Sequence, residues 1–433
     1  MRREKNLLKR DQSIEYHRTE FTEKMQEDKY TILAPQMSPI HFDLVGPLFE
    51  KYGYHVEILD NATRDSIDVG LKYVNNDACY PSIVMVGQVM NAVMSGNYNT
   101  RKLAVLMSQT GGCCRATNYV SFIRKALDRV GMSYVPVISL NLNGMEKNGG
   151  FRLTLPMIVD AIQALIYGDL FMKCLYHVRP YEKNKGESDR VHEKWLEICR
   201  DALLNGKSRR KFRKICEGIV QDFDRIPLDD TISKPRVGIV GEILVKYMPL
   251  ANNHLVELLE REGAEAVVPD LLDFFAYSFF NGEYKHRYLG AGIRSKWLAK
   301  IGVWLVDRVR RPATRALANS ERFDPPVRID KVAEYVKPIL SLGNQYGEGW
   351  FLAGEMVELL RHGTNNIICI QPFGCLPNHV VGKGVIKKLH ELYPESNVAA
   401  VDYDPGASEV NQLNRIKLML SAARKRMIQE KAS

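Results

Sequence analysis

Asn366-Ile367-Ile368-Cys369-Ile370-Gln371-Pro372-Phe373-Gly374-Cys375-Leu376-Pro377-Asn378-His379 is the stretch on which the reading of this chain turns. Asn366 to Ile370 is short, apolar and closed by turn residues, the pattern of a buried strand. Beyond the turn, Val380 to Leu392 has helical periodicity and Val398 to Val401 reads as a second strand, with a last helix from Ser408. The unit is therefore βαβ, with Cys375 at the strand-to-helix turn, boxed by glycine and proline. A cysteine so placed points at chemistry rather than packing.

The same grammar recurs upstream. Thr31 to Ala34, a helix over Phe42 to Tyr52 and a strand over His55 to Leu59 form one unit. Leu103 to Met107, Tyr119 to Val130 and Tyr134 to Ser139 form another. Val237 to Val240, Leu255 to Glu262 and Ala266 to Val268 open a third. The expected fold is α/β, with two doubly wound, Rossmann-like lobes joined by a helical segment. Expected boundaries are a charged lead-in arm over 1–29, a first α/β lobe over 30–150, a helical bridging segment over 151–232 and a second α/β lobe over 233–433. Residues 285 to 340 read as a helical, basic stretch inside the second lobe.

With 433 residues and 45% hydrophobic content, the chain is long enough for two cores. Its 60 basic and 51 acidic side chains leave a net charge of +9, which suits an anionic ligand or an acidic protein surface. No aromatic-rich basic motif supports a nucleic-acid partner. A membrane partner is not expected either: the nearest thing to a span, Leu153 to Tyr176, is broken by Asp160, Gln163, Asp169 and Lys173. Eight cysteines are too sparse for a disulfide scaffold, and no apolar leader opens the sequence, so a cytoplasmic protein with reduced thiols is expected. A homo-oligomer is compatible with this composition.

The cysteines sort by their neighbours. Cys174, Cys199 and Cys216 lie on apolar helical faces and read as small core hydrophobes, as does Cys369 within its strand. Cys79, in Ala78-Cys79-Tyr80-Pro81-Ser82, and Cys113 and Cys114, in Thr110-Gly111-Gly112-Cys113-Cys114-Arg115, resemble Cys375 in setting. Each is expected at a helix N-terminus, where backbone N–H groups and partial positive charge favour the thiolate that binds metal. There is no Cys-x-x-Cys pair, so zinc-ribbon and thioredoxin signals are absent. Ligands from separate loops suit a thiolate-held iron-sulfur cluster better.

At these residues the chain resembles the 2-hydroxyacyl-CoA dehydratase superfamily. The likeness rests on Asn76-Asp77-Ala78-Cys79-Tyr80-Pro81, Gln109 to Arg115, Gly347-Glu348-Gly349-Trp350, the Cys375 turn and Asp402-Tyr403-Asp404-Pro405-Gly406-Ala407-Ser408. It runs from about residue 30 to the end and is closest to the C-terminal part of large fused activase-related proteins. The resemblance implies a 4Fe-4S cluster near the domain interface, with a double-cubane cluster as the alternative. It makes Cys79, one or both of Cys113 and Cys114, and Cys375 the ligands. It further implies a separate ATP-hydrolysing activator that injects a low-potential electron, so that a ketyl radical can lose an unactivated hydroxyl.

Glu348, on a glycine-rich loop opening the helix Phe351 to Leu360, and His379, four residues after Cys375, are the candidate catalytic side chains. Asp402 and Asp404 read as turn residues. Val237-Gly238-Ile239-Val240-Gly241-Glu242 lacks the spacing of a dinucleotide fingerprint and reads as a structural turn, with a phosphate or acyl-carrier contact as the other use. The run Lys207, Arg209, Arg210, Lys211, Arg213 and Lys214 reads as a solvated helix face, with docking to an acidic partner or coenzyme A phosphates as the other use. The expected function is that of an oxygen-sensitive protein taking electrons from the activator to dehydrate or reduce a small substrate, such as a 2-hydroxyacyl-CoA. The alternative is a non-catalytic electron relay or scaffold in a larger assembly.

Overall fold

The structure, a computed structural model, describes residues 18–60, 63–75, 77–109, 114–140, 146, 148–206, 208–406 and 409–432. Cys113, with its neighbours 110–112, lies outside the described residues, as do Asn76, Lys207, Ser408 and most of the lead-in arm. The side chain of Arg209 is also outside them.

In chain order the elements begin with α1 (Glu23–Glu27), β1 (Thr31–Ala34), α2 (Pro39–Lys51), β2 (Val56–Ile58), α3 (Arg64–Tyr73) and α4 (Tyr80–Met94). There follow β3 (Leu103–Ser108), α5 (Tyr119–Arg129), β4 (Val137–Leu140), and three consecutive helices, α6 (Leu155–Val178), α7 (Glu187–Leu204) and α8 (Ser208–Asp224). The rest comprises β5 (Arg236–Gly241), α9 (Ile243–Tyr247), α10 (Leu255–Arg261), β6 (Glu265–Val267), α11 (Leu271–Tyr288), α12 (Ile293–Ala318), α13 (Ile329–Val336) and α14 (Trp350–Arg361). The chain closes with β7 (Asn366–Pro372), α15 (Ile386–Leu392), β8 (Asn397–Tyr403) and α16 (Glu409–Ala432).

The strands form two four-stranded sheets, ordered β2-β1-β3-β4 and β6-β5-β7-β8. Every pairing is parallel, with Ile32 opposite Ala104 in the first and Val240 opposite Cys369 in the second. In both, the strand order reverses between the first and third strands of the set, β1 and β3 or β5 and β7. Loops leaving the carboxyl ends of such neighbours diverge and leave a crevice, the usual place for a ligand.

Side chains alternate across each strand, so a parallel sheet buried on both faces needs apolar residues at successive positions. Ile32, Ala104, Val240 and Ile367 pack in one apolar cluster, and their neighbours Leu33, Val105, Ile239 and Ile368 in the other. Each cluster draws on both sheets, so the halves share their cores. Phe21 is 1% exposed in the first cluster, and the Gly150 N–H donates to its carbonyl at 2.9 Å. The arm was expected to be solvated or a helical lead-in rather than core; its end holds the short helix α1, but Phe21 anchors it in the core, because one aromatic ring in a charged stretch outweighs its neighbours' preference for water.

α6 is long and apolar enough to cross a membrane by length and composition, but 61% of its most apolar window is buried inside the protein. Its Asp160 accepts from Lys51 Nζ at 2.6 Å and from the Tyr52 hydroxyl at 2.7 Å. The helix expected over Val380 to Leu392 is divided: Asn378–Lys383 form a π-helical turn before α15. A Cβ at Gly384 would lie 2.1 Å from the Val380 carbonyl oxygen, so the chain there is wound too tightly for a side chain.

Candidate functional site

Three cysteine loops meet where the carboxyl ends of the two sheets face each other. Cys114 follows β3 and is the N-cap of a short 3₁₀ turn, Arg115–Asn118. Cys375 follows β7, and its buried thiol accepts from Asn378 Nδ2 at 3.2 Å. Cys79 caps α4, with Pro81 in the first turn where a missing N–H costs nothing. It was expected at a strand-to-helix turn, but it lies between α3 and α4. The tightly packed pair α3 and α4 replaces the strand: a Cβ at Gly70 would lie only 2.1 Å from the Ile83 carbonyl oxygen.

The loops are stitched together across the halves. The Tyr80 N–H donates to the Phe373 carbonyl at 2.9 Å, and Arg115 Nη1 donates to the carbonyls of Asp77 at 2.7 Å and Gly374 at 3.1 Å. Gly374 has φ +68°, and a Cβ there would lie 3.1 Å from Cys79 Cα. Gly347, at φ +61°, comes from a fourth loop, where a Cβ would lie 3.5 Å from Cys114 Sγ and 3.0 Å from Pro377 Cγ. These glycines are needed both for backbone conformation and for the close approach of the cysteine loops.

Two buried carboxylates complete the constellation. Glu348, 5% exposed, accepts from the Ile243 N–H at 2.9 Å through Oε1. Glu242, 7% exposed, directly follows β5 and caps α9 by accepting from the Val245 N–H at 2.9 Å. Burial raises both acids above the usual carboxylate range, and for Glu242 the charge of Glu348 adds to the effect. Sequence reading passed over Glu242 as the end of a structural turn. A glutamate directly after an apolar strand, at a helix start, was the available signal.

The thiols are pushed up as well. Burial is the largest cause for Cys79, Cys114 and Cys375. For Cys114, raised to about 12, and for Cys375, the next cause is the carboxylate of Glu348. Tyr119 stands 3.5 Å from Cys79 Sγ through its hydroxyl. Helix N-termini were expected to depress these thiols; desolvation among carboxylates works in the opposite direction and dominates.

The other sequence candidates fall around this centre. His379 is exposed, and its Nδ1 donates to the Cys375 carbonyl at 2.8 Å. Cys369 lies in the core, where Gln371 Nε2 donates to its sulfur at 2.8 Å. Cys174, Cys199 and Cys216 are fully buried among apolar side chains. Asp404 closes its turn by accepting from the Gly406 N–H, and Arg210, Lys211, Arg213 and Lys214 are exposed on α8. A cavity of about 110 Å³ lies apart from the cysteines, lined in part by Lys173, His177, Asp270, Glu355 and Glu358. Glu355 is bound there by Lys246 Nζ at 2.6 Å.

Among the described residues, no three His, Cys, Asp or Glu side chains are grouped so as to hold a metal ion as they stand. The donors nevertheless suit a soft cationic centre: three thiols on loops from both halves, beside two carboxylates, with glycines leaving room between the loops. Gln345, on the loop that carries Gly347 and Glu348, is 5% exposed, and neither polar atom of its amide has a partner among the described residues. An unpaired buried amide costs about 1–3 kcal/mol, which a bound group would relieve. Compared with family models and with curated proteins, the sequence matches none of them.

Proposed function

We propose that each sheet is the core of a doubly wound, Rossmann-like lobe, and that the chain is an iron-sulfur protein whose cluster bridges the two. Cys79, Cys375 and one or both of Cys113 and Cys114 supply the thiolates. In this reading the chain accepts low-potential electrons from an ATP-hydrolysing activator and uses them to dehydrate or reduce a small substrate, with a 2-hydroxyacyl-CoA as the leading class. The observation that carries it is the meeting of three cysteine loops, from both halves, at the facing carboxyl ends of the sheets.

When bound, a 4Fe-4S cluster supplies one-electron transfer and, where an iron is left open, a place for substrate. The chain's own residues do the rest. Gly347 and Gly374 keep side chains out of the space between the loops, and Arg115 ties the Cys79 and Cys375 turns together. Glu242 and Glu348, both with raised affinity for a proton, place an acid beside the thiols. Such an acid can protonate a leaving hydroxyl near neutral pH, where an ordinary glutamate would already be ionised.

Anaerobic reconstitution followed by iron, zinc and acid-labile sulfide analysis tests the proposal. About four irons per chain with matching sulfide support a single cubane, and about eight a double cubane. Zinc without sulfide overturns both. Mixing the reconstituted protein with ATPase activators then tests the partner: ATP-dependent reduction by the chain alone would refute an activator supplied in trans.

A further inference from the structure

α11 and α12 are joined by four residues and pack against each other as a tight hairpin. A Cβ at Gly282 would lie 2.7 Å from Ala299 Cβ, and one at Gly302 would lie 2.4 Å from Phe279 Cδ1. The end of this closely packed hairpin is nonetheless apolar on the outside. Leu289, Ile293, Trp297, Leu298, Ile301 and Trp304 are 56–67% exposed, and Tyr288 is 58% exposed. Ile293, Trp297, Ile301 and Trp304 follow one another at spacings of four, four and three residues, which lines them along one side of the helix. Arg308, Arg311 and Arg315, all exposed, continue that line.

Charge decides what can cover such a surface. From Tyr284 to Val306 there is no aspartate or glutamate, while Lys285, Arg287, Arg294, Lys296 and Lys300 are basic. A second copy docking through the same face would bring two cationic ends together with no acid in the segment to answer them. The counterpart must therefore be apolar in its body and negative at its rim. Exposed apolar residues occupy the connecting turn as well as the helix, with Leu298 set to one side of the tryptophan line. They clothe the end of the hairpin, a shape suited to immersion.

We propose that the end of the α11–α12 hairpin seats on an anionic lipid bilayer surface, with Trp297 and Trp304 at headgroup depth and the surrounding lysines and arginines on the phosphates. This contact spans nothing. The expectation of no membrane partner rested on the lack of a span, and exposure of this face is visible only in the folded chain.

Co-sedimentation of the full chain with vesicles of phosphatidylcholine alone, or mixed with phosphatidylglycerol, tests it. Binding is expected only to the anionic vesicles, with a blue shift of tryptophan emission, since Trp350 is buried and Trp195 half-buried. The double variant Trp297→Ala/Trp304→Ala, and separately Lys296→Gln/Lys300→Gln, should each lower partitioning about tenfold while leaving circular dichroism unchanged, because all four side chains lie outside the core. No binding by the folded parent chain, or undiminished binding by the tryptophan variant, would overturn the proposal. So would a concentration-dependent dimer, or capture by an acidic protein in place of vesicles, that the tryptophan variant abolishes.

Discussion

Replacing Gly349 by alanine should do more damage than any other single methyl group added near the candidate site. The residue has φ +46° and ψ −132°, a region in which a side chain costs about 1–3 kcal/mol. A Cβ there would also lie 2.1 Å from the Asn344 carbonyl oxygen and 2.6 Å from the Tyr277 hydroxyl, well inside contact distance. The loop must open, breaking the 2.6 Å hydrogen bond from the Trp350 N–H to Asn344, worth about 1 kcal/mol. The sum is about 2–4 kcal/mol. Gly363→Ala is the control: φ is +76° with nothing within 4 Å of the added carbon, so only backbone strain of about 1 kcal/mol is expected. Urea midpoints followed by circular dichroism compare the two. Because the loop carries Glu348 and Gly347, Gly349→Ala should also lose bound iron under anaerobic reconstitution, and Gly363→Ala should keep it. Equal midpoints and equal iron would refute the view that this turn is fixed by close contact and holds the site.

Cys79→Ala or Cys375→Ala should lose reconstituted iron and its visible absorption, whereas Cys199→Ala should keep both and cost on the order of 1 kcal/mol in packing. Lys246→Met leaves Glu355 buried without its cation and should lower stability by about 3–5 kcal/mol, and adding Glu355→Leu should recover most of the loss in the same denaturation assay. Glu242 holds its proton more tightly folded than unfolded, with its value raised to about 8, so its contribution is complete below the ordinary carboxylate range and is lost as pH rises through that value. In the iron-free protein, stability should therefore fall between mildly acidic and alkaline pH, and Glu242→Gln, which keeps an acceptor for Val245, should flatten the profile.

What the sequence made legible was whatever is local. β5 and β7 are apolar runs closed by turn residues, and their unbroken burial is what parallel strands covered on both faces require. α4 gave no such signal: Tyr80 to Val93 are buried almost without interruption, so there is no polar face to set a helical period. The setting of Cys79 was half legible: the expected helix start is there, with Cys79 as N-cap, but the element before it is the helix α3 rather than a strand. The role of Glu242 was hidden because its burial depends on Glu348, over a hundred residues later, being folded against the same helix start. The basic stretch from 285 was recognised by composition, but which of its apolar residues find a core is settled only by how α12 packs on α11.

The thiols show how two correct local rules are ranked by magnitude. A helix N-terminus favours an anion by about 0.3–1 kcal/mol, less than one pKa unit, while burying a charged group shifts its pKa by up to several units. At Cys79 and Cys114, both N-caps, burial wins, and at Cys114 the charge of Glu348 adds to it. Such thiols make poor free nucleophiles in neutral water. They become good ligands once a cation enters, because the same low dielectric that penalises a lone thiolate strengthens its bond to positive charge. Proton release on metal binding should then be large and steeply dependent on pH. In the proposed reading the site waits for its metal, and the facing carboxyl ends of two like-ordered sheets are where the fold gathers the ligands.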